Sequence, residues 1–290
     1  MSIAGGLPLA VDRAVAHGCE ALQIFSKSSN QWRARPLEAR EVREFRARVE
    51  RSAIGPVVAH ASYLINLATA EPGLRTQSLD AFDIELDRAE SLGLLGVVIH
   101  PGCYTTGTEE DGMRLVGEAV LQALRRRRRR HAMVLLEHTA GQGTSIGWRF
   151  EQLARMIEHA DGHPRVGVCL DTCHLFAAGY DLATEKGYRK TFRAFRRVVG
   201  EDRLRVFHLN DSKRPIGSRR DRHEHIGKGM LGLDAFRRLL NDRRFRRLPM
   251  LLETPKTEGR PAKAISVDPL DAMNLRTLRA LLGNPLHPSP

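Results

Sequence analysis

Short apolar runs alternate with amphipathic helical patterns along almost the whole chain. Runs of about four to six residues rich in Val, Ile and Leu are typical of buried parallel strands. They predict strands at residues 21–26, 56–60, 96–100, 133–137, 166–171, 205–210 and 249–253. Apolar positions at helical spacing predict helices at residues 8–18, 38–52, 72–92, 110–130, 149–160, 184–199, 234–242 and 269–282. This alternation, without a linker, predicts one α/β domain over residues 1–282, a TIM barrel of the (β/α)8 type.

The predicted barrel is one strand short. A (β/α)8 barrel begins with a strand, but this sequence opens with Met-Ser-Ile-Ala-Gly-Gly directly before the first predicted helix. Either the sequence begins downstream of the first strand, or the barrel closes with a gap. At the other end, residues 283–290 are rich in proline, and we expect a disordered tail there.

Composition favours a cytoplasmic globular protein. A hydrophobic fraction of 42% in 290 residues is enough for an ordinary packed core. No run approaches the roughly 18 apolar residues of a membrane span, and the first residues lack the pattern of a signal peptide. The spacing of the four cysteines shows no disulfide framework, so we expect free thiols at Cys19, Cys103, Cys169 and Cys173. No feature of the sequence indicates an oligomer, and we expect a monomer.

The charge balance favours a polyanionic partner. Basic residues outnumber acidic ones by 46 to 34, a formal net charge of +12, and Lys and Arg gain affinity for nucleic acids by releasing counterions. An Arg-rich composition also arises from codon usage, so charge alone leaves both interpretations open. The run Arg125 to Arg130 ends a predicted helix, and we expect a solvated helix end there, on the side of the barrel away from the carboxyl ends of the strands.

Polar residues of metal-ligand type stand at the carboxyl ends of six predicted strands. Three further residues of the same type follow in loops. Barrel enzymes keep their chemistry at this rim. A single such residue is more often an ordinary satisfied polar group, but six strands would have to place one on the same rim by accident. The nine residues are His60, His100, Glu137, Asp171, His174, His208, Asp221, His223 and Glu253.

The residue types narrow the chemistry. Imidazole and carboxylate donors without a thiolate suit zinc or manganese in a hydrolytic site and argue against a structural zinc finger. One catalytic zinc ion uses about three protein ligands, so nine donors predict two or three ions with a carboxylate shared between them. Cys169 and Cys173 flank Asp171 and are expected to be packing residues.

Long motifs containing these residues resemble those of the endonuclease IV family, the metal-dependent apurinic/apyrimidinic (AP) endonucleases. The resemblance spans nearly the whole chain. It is carried by residues 5–7, 25–27, 31–33, 60–66, 100–102, 137–143, 168–182, 207–213, 217–229 and 251–254. It implies a xylose-isomerase-like TIM barrel that holds three zinc ions, with manganese open at one position.

The resemblance also implies how the donors are shared. His60, His100 and Glu137 would hold one ion. The second would be held by Glu137, Asp171, His208 and Glu253, and the third by His174, Asp221 and His223. Glu137 would then be the bridging carboxylate, and Glu137, Asp171 and Glu253 would be the catalytic carboxylates.

The implied reaction is a step of base excision repair. The phosphodiester 5′ to an abasic site in double-stranded DNA would be hydrolysed, leaving a 3′ hydroxyl and a 5′ deoxyribose phosphate, and blocking groups would be removed from damaged 3′ ends. Tyr63 and Leu64 match residues that the family inserts into the duplex, and Gln31 and Trp32 match its second-strand loop. Residues 28–30 of that loop, Ser-Ser-Asn, depart from the family pattern, which leaves the inserted residue there open.

Two other functions remain compatible with the sequence. A metal-dependent sugar isomerase or epimerase of the same barrel class gathers Glu, Asp and His at the same rim, but it needs fewer ligands. A catalytically impaired DNA-binding barrel is favoured only by the lacking strand. Metal content and cleavage of abasic DNA separate these alternatives from the nuclease.

Overall fold

The computed structural model describes residues 1–127, 130–258 and 265–283, and its centre is a parallel sheet of seven strands. The strands follow one another in chain order around the sheet. All six pairings between neighbouring strands are parallel. The strands are β1 (Leu22–Phe25), β2 (Val57–His60), β3 (Gly96–Ile99), β4 (Met133–Glu137), β5 (Val166–Asp171), β6 (Leu204–Leu209) and, after a short hairpin, β9 (Met250–Leu252). The predicted barrel architecture and all seven predicted strands are confirmed.

Helices connect these strands and cover the outside of the sheet, as the alternating pattern predicts. The predicted helices all form, with ends that differ by a few residues. They are α1 (Leu7–Ala16), α2 (Ala39–Arg51), α3 (Pro72–Leu92), α4 (Glu109–Arg126), α5 (Phe150–His159), α7 (Glu185–Val198), α8 (Gly232–Leu240) and α9 (Pro269–Leu281). No helix in the described part of the chain is long and apolar enough to cross a membrane.

Three short elements were not predicted from the sequence. The helix α6 (Thr172–Ala177) follows β5 without a loop, and a 3₁₀ turn, Glu201–Arg203, precedes β6. A two-stranded antiparallel hairpin, β7 (Asp211–Ser212) with β8 (His223–Glu224), follows β6. All three are too short to show a hydrophobic period, which explains why the pattern does not reveal them.

The core has two layers, one inside the sheet and one between the sheet and the helices. The inner layer takes one buried apolar residue from each of six strands, as in the packed interior of a TIM barrel. These residues are Val58, Val98, Leu135, Cys169, Val206 and Leu251. The outer layer is larger and includes a cluster of Phe192, Phe207 and Phe245, whose rings lie 4.8–6.2 Å apart. The four cysteines are free, as predicted, and Cys169 is a packing residue.

The barrel stays open between β1 and β9, which are the two edges of the sheet. A cavity of about 490 Å³ lies beside this opening, lined by Leu22, Leu209 and Leu278 among others. The amino group of Met1 donates a hydrogen bond of 2.6 Å to the carbonyl of Gln23 on β1. The described chain is therefore one strand short of a (β/α)8 barrel, as predicted, and β1 and β9 form the two edges of a nearly closed sheet.

The arginine run at the end of α4 differs from its prediction. Arg125 and Arg126 are exposed but form ion pairs with Asp161 and Asp83, at 2.5 Å each. Arg127 is buried, contacts Asp83 and Asp87, and ties the end of α4 to α3. The prediction of a solvated helix end is therefore wrong for Arg127, because acidic residues of α3 face the run. Residues 128 and 129 lie outside the described residues.

The carboxyl-terminal tail predicted at residues 283–290 falls outside the described part of the chain except for Gly283. The amide of Gly283 donates a hydrogen bond of 2.9 Å to the side-chain oxygen of Asn241. This contact holds the end of the described chain against the end of α8.

We predict that Phe207→Ala lowers the free energy of unfolding by about 3 to 5 kcal/mol, because the ring is fully buried between Phe192 and Phe245 and its removal leaves a cavity. Urea unfolding followed by circular dichroism measures this loss. The matched control is Val15→Ala at an exposed position, which should change stability by less than about 0.5 kcal/mol. Equal losses in the two variants would contradict the assigned packing.

Candidate metal centre

The nine residues of ligand type converge at the carboxyl end of the barrel. Their donor atoms form groups in which every member lies within 4.8 Å of the others. The groups are His60 with His100 and Glu137; Glu137 with Asp171, His208 and Glu253; Asp171 with His174 and His223; and Cys173 with Asp221 and His223. All nine are thus brought together, although they are spread over about two hundred positions in the sequence.

Glu137, at the end of β4, lies at the centre of the cluster and is fully buried. Its Oε2 atom is 3.1 Å from His60 Nε2 and 3.2 Å from His100 Nε2. Its Oε1 atom is 3.1 Å from His208 Nδ1 and 3.4 Å from His174 Nδ1. Glu137 therefore faces His60 and His100 with one oxygen and His208 with the other, which is the geometry of a bridging ligand.

The remaining donors surround this centre on two sides. His208 Nδ1 is 3.1 Å from Glu253 Oε2 and 3.9 Å from Asp171 Oδ2. On the other side, Asp221 contacts His174 Nε2 at 3.2 Å and His223 Nε2 at 3.1 Å. Asp171 also approaches His223 Nε2, at 3.7 Å, so it lies between the second and third sets of donors.

Local structure aims these side chains. Asp171 ends β5 and caps α6, where its Oδ1 atom accepts a hydrogen bond of 3.0 Å from the amide of His174. This cap starts a helix at the strand end and turns His174 back into the cluster. The β7–β8 hairpin does the same for His223, which begins β8. The spacing of Asp171 and His174 is thus explained by a helix that the sequence pattern did not reveal.

Backbone carbonyls orient three of the imidazoles. The Nδ1 atom of His60 lies 2.7 Å from the carbonyl of Ala61. The Nδ1 atom of His174 lies 2.8 Å from the carbonyl of His138. The Nδ1 atom of His223 lies 3.2 Å from the carbonyl of Glu253. In each ring the Nε2 atom is left to face the carboxylates, which is the usual arrangement of a metal-ligating histidine.

Two buried imidazole nitrogens lie close to carboxylates but form no hydrogen bond with them. The Nε2 atoms of His174 and His223 are buried, and neither forms a hydrogen bond among the described residues. A buried polar atom without a hydrogen bond is costly, and a metal ion would satisfy both. Four carboxylates share this cluster; Glu137 and Asp171 are fully buried, and Asp221 and Glu253 are partly buried. Negative charge so arranged requires cations, and two divalent ions would already balance it. The donor set fits divalent metal ions.

The electrostatics of the metal-free cluster agree with this fit. Burial alone lowers the pKa of His223, but Asp171 and Asp221 outweigh it and raise the pKa to about 9. Burial likewise opposes the charged form of His174, and the same two carboxylates raise its pKa well above the usual value. Burial would raise the pKa of Glu253, yet His208 holds it at about 2. Protonated imidazoles therefore stand where metal ions would supply positive charge.

Cys173 approaches the cluster more closely than predicted. Its sulfur lies within 4.8 Å of donor atoms of Asp221 and His223. Burial raises the pKa of this thiol to about 12, so it stays protonated at neutral pH, whereas a metal ligand is a thiolate. In the metal-free protein Cys173 is therefore a neutral thiol beside Asp221 and His223.

Sequence reasoning missed two residues that hold the candidate ligands. The side chain of Asn210 donates a hydrogen bond of 2.6 Å to Asp171 Oδ2 and accepts one of 3.0 Å from the amide of Glu253. Gln23 contacts Glu253 and His208. Each is a polar residue in or directly after an apolar strand, and this was the signal that could have found them.

The residues predicted to contact DNA lie in two neighbouring loops. Tyr63 is exposed, and its ring centre is 5.3 Å from that of His60 and 6.2 Å from that of His100. Leu64 is half-buried beside it, and Gln31 is exposed in the loop after β1. Trp32 packs against the hydrophobic core. Tyr63 is thus the predicted contact residue that stands directly over the cluster.

A buried glutamate of α3 joins these two loops. Glu85 accepts a hydrogen bond of 2.6 Å from the hydroxyl of Ser26 and one of 3.2 Å from the amide of Ser62, and it lies 3.5 Å from the amino group of Lys27. The hydroxyl of Ser62 also donates to the carbonyl of Ser29 across the loops, at 2.5 Å. The two loops therefore form one supported surface beside the cluster.

We predict that zinc binding to the metal-free protein releases at least about one proton per chain near pH 7.5. His223 is protonated there because its pKa is raised to about 9, and a ligating imidazole must be neutral. Affinity should therefore rise with pH until about 9. Calorimetry in two buffers of different ionisation enthalpy measures the release, and His223→Ala should reduce it by about one. Heats that do not depend on the buffer would contradict the assignment.

Comparisons with known proteins agree with the geometry. The family profile described as xylose isomerase-like TIM barrel matches residues 11–274. A probable endonuclease 4 of Chloroflexus aurantiacus is 46% identical over 282 residues, which cover 97% of this chain and 96% of that protein. A probable endonuclease 4 of Geobacter sulfurreducens is also 46% identical, with 97% and 93% covered.

Solved structures give the same result. The crystal structure of endonuclease IV from Thermus thermophilus has a TM-score of 0.83 and 41% identity, and covers 97% of this chain and 96% of that chain. A D-tagatose 3-epimerase-like protein has a TM-score of 0.65 at 14% identity, which shows the shared barrel fold alone. The match in sequence and in structure over nearly the whole length shows that this chain belongs to the endonuclease IV family.

Proposed function

We propose that this chain is a zinc-dependent AP endonuclease that hydrolyses the phosphodiester 5′ to an abasic site in double-stranded DNA. The products would be a 3′ hydroxyl and a 5′ deoxyribose phosphate. The observation that carries the proposal is the central position of Glu137, which faces His60 and His100 with one oxygen and His208 with the other, at 3.1–3.2 Å. Similarity over nearly the whole chain to proteins named endonuclease 4 and endonuclease IV supports it.

The donor set would be shared among three ions. We assign His60, His100 and Glu137 to the first, and Glu137, Asp171, His208 and Glu253 to the second. The third would be held by His174, Asp221 and His223. When bound, the ions would supply an activated water for in-line attack on phosphorus and positive charge for the departing 3′ oxygen. Zinc suits the mixed imidazole and carboxylate donors, and manganese remains a candidate at one position.

The protein itself would position rather than attack. Glu137, Asp171 and Glu253 would hold the metal ions in place, and none of them needs to form a covalent bond to the substrate. The nearby thiol of Cys173 is a poor nucleophile because burial raises its pKa to about 12. Hydrolysis by water is therefore the reaction that this set of side chains supports. The same site would remove blocking groups from 3′ ends, since water would attack phosphorus with the same geometry.

The neighbouring loops suit a DNA lesion. Tyr63 offers an exposed aromatic ring over the cluster, and Leu64 an apolar side chain next to it. Apolar side chains of this kind act as wedges between base steps. An abasic nucleotide leaves the stack at low cost because no base has to be unpaired, so selection would depend on deformability of the lesion. Gln31 and Trp32 would shape the adjoining loop.

The basic composition supports a duplex as partner. The formal net charge of +12 favours a polyanion over a neutral sugar, which is the substrate class of the epimerases that share the fold. A sugar epimerase also has no need of the third set of donors. We further propose that the protein acts on chromosomal DNA as a cytoplasmic monomer, in agreement with its four free thiols.

Cleavage and metal content together test the proposed function. We predict about three zinc ions per chain by elemental analysis and nicking of a duplex that contains one tetrahydrofuran abasic analogue, 5′ to the analogue. Zinc binding without nicking would support the DNA-binding alternative, and epimerisation of a ketose without nicking would support the sugar enzyme. Either result would contradict the proposed nuclease.

We predict that Glu137→Ala abolishes nicking, with a loss of at least about 1000-fold, because it removes the carboxylate that faces both sets of imidazoles and about 4 kcal/mol of transition-state stabilisation with it. Binding of the abasic duplex should remain within about threefold, since Glu137 is buried under the loops that would contact DNA. Nicking rates and fluorescence anisotropy measure the two effects. Glu151→Ala, at an exposed position of α5, is the control, and retained nicking in Glu137→Ala would refute the mechanism.

A further inference from the structure

Gln23 is a polar residue in an otherwise apolar strand, β1, and its side chain reaches two of the candidate ligands. Its amide nitrogen donates a hydrogen bond of 2.5 Å to Glu253 Oε1. Its amide oxygen lies 2.9 Å from His208 Nε2. The two ligands come from β6 and from the end of β9, on the far side of the gap in the sheet. One amide therefore contacts two members of the same set of donors.

The partners of Gln23 determine how its amide is turned. A carboxylate oxygen only accepts hydrogen bonds, so the amide nitrogen must face Glu253. The amide oxygen then faces His208, and an amide oxygen only accepts. His208 must therefore donate from Nε2. In a neutral imidazole with its proton on Nε2, the Nδ1 atom carries a free lone pair.

The atoms left free by these hydrogen bonds are the ones that face the cluster. His208 Nδ1 lies 3.1 Å from Glu137 Oε1 and 3.1 Å from Glu253 Oε2. Glu253 uses Oε1 for Gln23, which leaves Oε2 toward the same point. The hydrogen bonds of Gln23 thus select one donor atom of His208 and one of Glu253, and both selected atoms belong to the second set of donors.

This arrangement differs from that of three other imidazoles in the cluster. His60, His174 and His223 are oriented by hydrogen bonds from Nδ1 to backbone carbonyls. A side-chain substitution does not remove a backbone carbonyl. His208 is turned the other way round and is oriented by a side chain. The orientation of His208 can therefore be changed by one substitution, Gln23→Met, that leaves every candidate ligand in the sequence.

We propose that Gln23 is a positioning residue of the metal centre, which fixes the donor atoms that His208 and Glu253 present to the ion shared with Glu137 and Asp171. The inference rests on the proposed metal-dependent function and deepens it. Residues that hold metal ligands from behind typically change affinity by about 10- to 100-fold when they are replaced. Loss of Gln23 should affect this ion first, because the donors of the other two ions include neither His208 nor Glu253.

The test is competition with a chelator. Gln23→Met keeps the length of the side chain and removes both hydrogen bonds. Gln122→Met, at an exposed position of α4, is the matched control. Zinc retained per chain is measured after dialysis against increasing chelator. We expect Gln23→Met to lose one ion at about 10- to 100-fold lower free chelator than the wild type, while the remaining ions and the control follow the wild-type curve.

A purely structural role gives a different result. Gln23 also joins β1 to the end of β9 across the gap, so its loss could weaken the fold itself. The melting temperature of the metal-stripped proteins separates the roles. A positioning role predicts that Gln23→Met lowers the melting temperature of the zinc-loaded protein by more than that of the stripped protein, because the variant gains less stability from zinc. Gln23→Asn keeps the amide and shortens its reach, and we expect it to lose the same ion early.

Three outcomes would overturn the assignment. The first is a chelator curve of Gln23→Met and Gln23→Asn that matches the wild type. The second is a fall in melting temperature that is as large in the stripped variant as in the loaded one, or variants that do not fold. The third is a wild type that retains no zinc, which would overturn the proposed metal centre and the role of Gln23 together. If the wild type retains zinc and the variants behave like it, only the role of Gln23 is overturned.

Discussion

The gathering of four carboxylates, two of them fully buried, at one end of the barrel is the constraint on which the rest of the structure depends. Glu137 and Asp171 are fully buried, and Glu253 and Asp221 adjoin them. Negative charges this close are stable only when positive charge lies between them. In the metal-free protein, imidazoles such as His223 supply it by staying protonated. Divalent ions would supply it with better geometry, and the function then follows from their chemistry.

The fold meets this constraint by ordinary means. Parallel strands end on one rim, so donors far apart in sequence become neighbours there. The Asp171 cap starts a helix that returns His174 to the rim, and the β7–β8 hairpin brings in His223. Glu85 supports the loops of Tyr63 and Gln31 from below. The cluster and the two neighbouring loops are thus built on the same few strand ends. Under the proposed function, a lesion held by the loops would lie against the cluster.

The sequence allowed the barrel, its open edge and the nine converging residues to be predicted, because each depends on a repeated pattern of apolar runs that end in a polar residue. It did not reveal α6 or the hairpin, which are too short to carry a period. It also missed Gln23 and Asn210, since a residue that orients a ligand through hydrogen bonds looks like any polar residue at a strand end. Arg127 was misjudged because the acidic residues that bury it belong to a different helix.

The most direct test of the central claim is the position of the metal itself. Diffraction data collected on either side of the zinc absorption edge, from crystals of the zinc-loaded protein, give the anomalous difference at each ion. We predict three peaks within coordination distance of the nine donors, with Glu137 between the first two. Gln23 should be hydrogen-bonded to His208 and Glu253 behind the second. Peaks elsewhere on the protein, or none among these side chains, would contradict it.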